Sequence, residues 1–347
     1  MNVAKLFSGL SIPAAILLTA LSCHVSAGDF TKKAVGTVGS DFLNLGAGAR
    51  AMGMGGAYSA IAEDASAIQW NPAGLVQISK LSATFMRAAY VADINYQYAA
   101  YAHRLDYATV IAGSVITTDI GGIKHTDTSG NVLGTFYPKD QAYTLSYGRA
   151  IMELSDKDRD VSMGVSAKYI KSTILNSAVG MGVDFGIMTY YFTNIPYRLS
   201  VVMQNLGQGL KFDSQRESLP LTFRLGGSIS PFKNFLLAAE TVLPKGNAMH
   251  FVSGAELSTG QTDKARVNLR GGIDTQYLRD DVGGFFMGAG IGLHFFTIDY
   301  AFVPMGELGS THRISLTFDF PYRSPVFQRK DRSIFNQFKD FISPAKK

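Results

Sequence analysis

The chain has 347 residues, with 36 glycines, 12% aromatic residues and 17% charged residues. Charge is below the ~25% of soluble domains, and the sole cysteine, Cys23, falls in the expected leader, which excludes a disulfide scaffold and a cysteine-based metal site in the mature chain. The net charge of +5 sits in residues 321–347, which hold seven Lys/Arg and two acids; setting aside that tail and Lys5 leaves 24 basic and 25 acidic residues, so the body offers no basic face to nucleic acid.

Residues 1–27 read as a secretory signal peptide. Lys5 is the basic region, Ile12 to Leu21 the apolar region, and Val25-Ser26-Ala27 puts small residues where cleavage after Ala27 needs them. The apolar run is shorter than the ~20 residues of a spanning helix.

Residues 28–80 form an N-terminal extension and a compact unit. Gly46, Gly48, Gly53, Gly55 and Gly56 allow tight packing and positive φ. Asp64 is expected to cap a short helix through Ala65–Trp70. Asn71 precedes Pro72, which disfavours helix there, and Gly74 is expected to release the chain. Ile68, Trp70 and Leu75 call for burial.

From Leu81 the pattern changes to period two. Val161, Met163, Val165, Ala167 and Tyr169 alternate with Ser162, Gly164, Ser166 and Lys168. Fourteen such segments follow: 81–91, 94–104, 107–117, 141–149, 161–172, 179–191, 197–204, 220–230, 235–243, 248–257, 265–274, 283–294, 296–303 and 310–320. Most match the ~9–11 residues of a tilted strand crossing a bilayer, and an even count suits an outer-membrane barrel. The expected fold is an all-β, 14-stranded antiparallel transmembrane β-barrel over 81–320. A soluble sandwich would need shorter strands.

The face turned from lipid carries Lys168, Arg224, Arg270 and Arg313 with Asp184, Glu240, Asp274, Asp299 and Asp319. It also carries Gly164, Gly182, Gly186, Gly288, Gly290 and Gly292. Strand glycines mark close approach of another piece of chain, so something is expected to fill this lumen. The unit before the first strand is the natural filler. The longest connections, including 118–140 and 205–219, fall on one side, the expected extracellular side. Residues 321–347 are a basic tail in which Ile334, Phe335, Phe338, Phe341 and Ile342 recur at near-helical spacing, as in a segment that meets lipid or a periplasmic partner.

The stretch LNLGAGARAMGMGGAYSAIAEDASAIQWNPAGL (43–75) resembles the N-terminal signature of PorV/PorQ-type outer-membrane proteins, which are related to FadL-like transporters of hydrophobic compounds. QNLGQGLKFDSQRESLPLTFRLG (204–226) and GELGSTHRISLTFDF (306–320) resemble later segments of that family. The resemblance implies a hatch or plug inside the lumen, with Asp64, Trp70, Asn71, Pro72, Ala73 and Gly74 as its motif. Whether that motif is a moving gate or a fixed stopper stays open in the sequence.

Catalytic chemistry is not expected. A GxGxxG spacing fails at Ala51 and Tyr58, and no GxxxxGK[ST], HExxH or GxSxG occurs. The mature histidines are scattered, so neither a metal nor a cofactor is expected. The resemblance implies a non-enzymatic binding and shuttle component of type IX protein secretion that recognises C-terminal signal domains of cargo. The alternative is FadL-like transport of hydrophobic small molecules such as fatty acids and hydrocarbons. Partners are then outer-membrane lipid and either cargo and secretion-machine subunits or a hydrophobic solute. Candidate binding residues in the expected outer loops are Phe136, Tyr137, Leu206, Leu210, Phe212 and Tyr277.

Overall fold

The computed structural model describes residues 27–90, 94–153, 159–191, 195–212, 215–259, 265–279 and 283–320. The expected leader through residue 26, with Cys23, and the tail 321–347 lie outside the described residues.

The fourteen alternating segments are fourteen strands. They are β1 Leu81–Ala89, β2 Asn95–Arg104, β3 Thr109–Asp119, β4 Lys139–Glu153, β5 Arg159–Thr173, β6 Ser177–Tyr191, β7 Tyr197–Gln208, β8 Thr222–Phe232, β9 Phe235–Pro244, β10 His250–Thr259, β11 Arg266–Asp274, β12 Phe285–Leu293, β13 Phe296–Pro304 and β14 Ser310–Phe320. Each pairs antiparallel with its neighbour, and β1 closes on β14 from Leu81↔Phe320 to Ala89↔His312. Closure leaves no sheet edge among the strands, which a bilayer demands of a spanning sheet. No helix among the described residues is long and apolar enough to cross a membrane.

Period two sets the faces. In β1, Ser82, Thr84, Met86 and Ala88 are buried towards the lumen, while Phe85 and Arg87 face out. In β11, Asn268, Arg270, Gly272 and Asp274 face in, and Val267 and Leu269 face out. Strands β4, β5 and β6 are 15 residues long, beyond the segments expected from alternation. Their ladders continue past the apolar stretch into polar ends such as Lys139 and Thr173, where hydrogen bonding no longer needs an apolar face.

Short turns 105–108, 233–234 and 294–295 close one end of the barrel. The other end carries the long connections 120–138, 209–221 and 275–284. Long loops face the outside in such barrels, so the second end is extracellular and the chain enters β1 from the periplasmic end. Two short hairpins, unforeseen in the sequence, stand in the long connections: Ile123–Thr126 with Val132–Phe136, and Lys211–Phe212 with Gln215–Arg216.

Residues 41–78 lie inside the barrel. They form short pieces: 3₁₀ turns Asp41–Asn44 and Pro72–Gln77, and helices α1 Ala49–Gly53 and α2 Ala67–Trp70. α1 packs on β11 to β14, and the Pro72–Gln77 turn packs on β3 to β6. Contacts on both sides of the wall put the segment across the lumen.

Candidate functional site

Two kinds of contact hold the lumen segment. The first is backbone against backbone. Asn71 is extended, with φ −161° and ψ 105°, and Pro72 opens the following 3₁₀ turn. Asn71 Oδ1 accepts from the Ala73 N–H at 3.0 Å, and its Nδ2 donates to Ser59 O at 2.8 Å. Both ends of the amide are therefore used, and the side chain is fully buried. The motif lies on Gly148, Gly164 and Gly186 of β4, β5 and β6. A Cβ at Gly164 would overlap the Pro72–Ala73 peptide, and one at Gly186 would overlap Asn71 Oδ1. Ser162 Oγ donates to Ala73 O at 3.0 Å, and Gln204 Nε2 donates to Gln69 O at 2.6 Å. A similar fit recurs across the lumen, where Cβ atoms at Gly254 and Gly272 would overlap the backbone of Met54 and Gly55.

The second kind is charge. Arg50 meets Glu256 at 2.9 Å and Glu63 at 2.9 Å. Arg198 meets Glu63 at 3.2 Å, and Arg270 joins Glu256 at 2.5 Å to Asp299 at 2.6 Å. Arg224 meets Glu240 at 2.9 Å and donates to Gly56 O at 2.7 Å. The Ser59 N–H donates to the same Glu240 carboxylate. Three guanidinium groups thus face three carboxylates in one network, and a fourth pair stands beside it. Buried charges persist when paired and hydrogen-bonded in this way.

Trp70 is the pivot between these contacts. Its Nε1 donates to Ala47 O at 2.7 Å. Tyr58 meets its ring edge-on at 5.9 Å, and the Arg224 guanidinium lies over it at 5.0 Å. The expected Asp64 cap on a helix from Ala65 is corrected. The helix begins at Ala67 with Ser66 as N-cap. Asp64 Oδ1 instead accepts from Ser66 N at 2.8 Å and Ser66 Oγ at 2.5 Å, closing the turn before the helix. Tyr58 OH donates to its other oxygen at 3.1 Å. Gly74 does not release the chain either. It sits inside the 3₁₀ turn, donates to Asn71 O at 2.9 Å, and its missing Cβ admits the Ala62 carbonyl.

The extracellular mouth is closed by side chains. Gln204 and Asn205 together oppose Asp184, a bulge that leaves Asn205 at φ 60°. Lys168 Nζ lies 2.8 Å from Asp184 Oδ2 and donates to Asn205 Oδ1 at 2.7 Å. Asn205 Nδ2 donates to Pro220 O at 3.1 Å. These bonds fold 205–212 and 215–221 back over the mouth. Residues 27–39 cross above it, where Val38 bridges Ser218 and the Gly246 N–H donates to Asp29 O at 2.7 Å.

The six candidate loop residues part company here. Leu210 is only 2% exposed, and Phe212 packs against the same core. Leu206 is half-buried in β7. Tyr277 lies on helix Thr275–Arg279 and packs edge-on to Phe286 at 5.4 Å; burial pushes its phenol up to about 12. The expectation that these four stand on the exposed side is corrected: Leu206 lies in a strand, and the connections that carry the other three pack against the apolar core at the mouth. Phe136 is half-buried beside His125, while Tyr137 is 69% exposed. Next to them Val132 and Leu133 are 61% and 62% exposed, and no pattern in the sequence marks them.

Residues 29–240 match the family model of "Type IX secretion system protein PorV". The chain belongs to the PorV family. Among solved structures it resembles the Ralstonia pickettii toluene transporter TbuX at 13% identity and TM-score 0.54, covering 79% of this chain and 98% of that one. It also resembles the Pseudomonas putida toluene transporter TodX at 9% identity and TM-score 0.54, covering 80% and 98%. At such identities the likeness is one of fold: the FadL-like barrel. No curated protein matches the chain. Family and fold together place this PorV-family barrel in the bacterial outer membrane.

The charge network was only half visible in the sequence. Arg270, Asp299, Arg224 and Glu240 stood out as inward charges on alternating strands. Arg50, Glu63, Arg198 and Glu256 did not, though Glu256 is in the inward phase of β10 and that phase was the available signal.

Proposed function

We propose that this PorV-family barrel is a non-enzymatic binding and shuttle component of protein secretion that recognises C-terminal signal domains of cargo at its extracellular end. The carrying observation is the hairpin Ile123–Thr126/Val132–Phe136, where Ile123, Val132, Leu133 and Tyr137 stand exposed above the membrane. Large apolar side chains clustered on one exposed hairpin suit a protein-binding surface. On this reading the Asn71–Pro72–Ala73 motif is the core of a plug that acts as a fixed stopper. The secretory leader 1–27 and the basic tail 321–347 complete the proposed organisation, the tail contacting lipid or a periplasmic partner.

The test is co-purification from the native host. Replacing residues 121–137 by a short Gly-Ser turn should abolish recovery of cargo sharing a C-terminal β-domain, while heat-modifiability on a gel reports an intact barrel. Undiminished recovery of such cargo overturns the proposal. A second reading, passage of hydrophobic small molecules, draws support from the apolar lining of the mouth, where Phe42, Leu43, Leu219, Val252 and Phe286 are buried. It requires that lining to part. Lipid or hydrocarbon recovered from the lumen, without cargo, would favour it.

A further inference from the structure

The outward walls of the barrel differ across its diameter. Over β1–β5 the register aligns one outward row on five strands: Arg87 opposite Gln97, Gln97 opposite Thr117, Thr117 opposite Gln141, and Gln141 opposite Lys171. The row holds two cations, two amides and a hydroxyl, and no carboxylate. Arg87 donates to Asn95 Oδ1 at 3.2 Å. Asp119, an outward acid one row higher on β3, is taken by Lys139 at 3.0 Å. Neither Arg87 nor Lys171 has an acidic partner among the described residues.

One row towards the periplasm, about 7 Å lower at two residues per row, the wall turns apolar and hollow. Ala83, Ala99, Gly113 and Ala167 floor a groove of about 620 Å³ walled by Phe85, Tyr101, Leu145 and Tyr169. The wall over β7–β12 also has a groove, of about 830 Å³. The extracellular ends of its strands carry outward Phe223, Phe251 and Phe285 in place of cations.

We propose that the wall over β1–β5 binds a phosphorylated glycolipid of the outer leaflet, with an acyl chain in the groove and phosphate on Arg87, Gln97, Gln141 and Lys171. Phosphate is held by guanidinium, ammonium and amide N–H donors. An acyl chain gains dispersion contacts from a concave floor of small residues. The order along the membrane normal fixes the leaflet: donors lie towards the outside and the groove towards the midplane, the polarity of an outer-leaflet lipid. Spacing favours a glycolipid over a phospholipid. Arg87 and Lys171 are four strand spacings apart, about 19 Å along the wall, which suits two phosphates at separate ends of a sugar headgroup. Recognition of a lipid by a basic cluster beside an apolar surface follows the general electrostatics of membrane proteins.

The test uses the full chain in detergent, incubated at equal concentration with diphosphorylated lipid A, its dephosphorylated form or phosphatidylglycerol, and read by native mass spectrometry. Retention of lipid A should exceed that of either other lipid by about tenfold, the scale of one or two charge-assisted contacts. Arg87→Gln with Lys171→Gln should remove that preference, and Ala167→Phe should lower retention by filling the groove. Ala255→Phe, in the opposite groove, should change nothing. Heat-modifiability confirms that each variant is folded. Undiminished retention in the folded double variant overturns the proposal, as does equal retention of phosphatidylglycerol by the unaltered protein.

Discussion

The two sides of the lumen segment meet the barrel wall by opposite means. Towards β4–β6 the Asn71–Pro72–Ala73 turn lies on glycines, and the fit is steric. Towards β7–β13 the segment meets the wall largely through Arg50 and Glu63, and the fit there is electrostatic, reinforced by a second glycine contact at Met54–Gly55. A segment inside a barrel whose outside must stay apolar is thus held in two ways. Inward glycines allow close approach where backbone is the partner, and inward charges fix position where side chains reach across.

The electrostatic side should fail most severely. Glu256→Leu strips the carboxylate shared by Arg50 and Arg270, and breaking a buried pair costs about 3–5 kcal/mol. Chemical unfolding in one detergent should show a loss of that size. A loss below about 1 kcal/mol would mean that Glu63 and Asp299 suffice. The steric side should fail next. Gly164→Ala should cost up to about 3 kcal/mol by overpacking and should expose residues 41–78 to protease. Gly271→Ala, whose outward Cβ meets nothing within 4 Å, should stay within about 0.5 kcal/mol. Equal effects of the two glycine changes would mean that close packing on Gly164 does not hold this side. Smaller still, Trp70→Phe removes one hydrogen bond to Ala47 O and should cost about 1 kcal/mol. Finally, Leu133→Ser with Tyr137→Ser should leave stability within about 0.5 kcal/mol, yet lower recovery of cargo from the native host.

The two sides were also unequally legible in the sequence. Glycines at 164, 186 and 288 fall in the inward phase of alternating strands, so the alternation alone pointed to a close neighbour. The pairing of Arg50 with Glu256 spans 206 positions, and no local pattern announces such a partner. All fourteen strands were readable because alternation repeats in each. Their ends were not, since the ladders of β4–β6 outlast the apolar stretch. The mouth was read least well. Leu210, Phe212 and Tyr277 lie in polar, glycine-containing connections that look solvent-exposed, and the long-range bonds that hold the connection after β7, such as those from Lys168, Asp184 and Asn205, have no local signal. The hairpin at 123–136 escaped because its strands are four and five residues long and interrupted by glycine.

On the proposed reading, the lumen segment is a fixed stopper on the glycine face while binding happens above it. The direct measurement pairs Ala73→Cys with Ser162→Cys, whose parent residues share a hydrogen bond, and follows disulfide formation together with cargo recovery from the native host. A fixed stopper should give near-complete crosslinking in the folded barrel and unchanged cargo recovery. Failure to crosslink, or crosslinking that abolishes recovery, would contradict it and make the motif a moving gate.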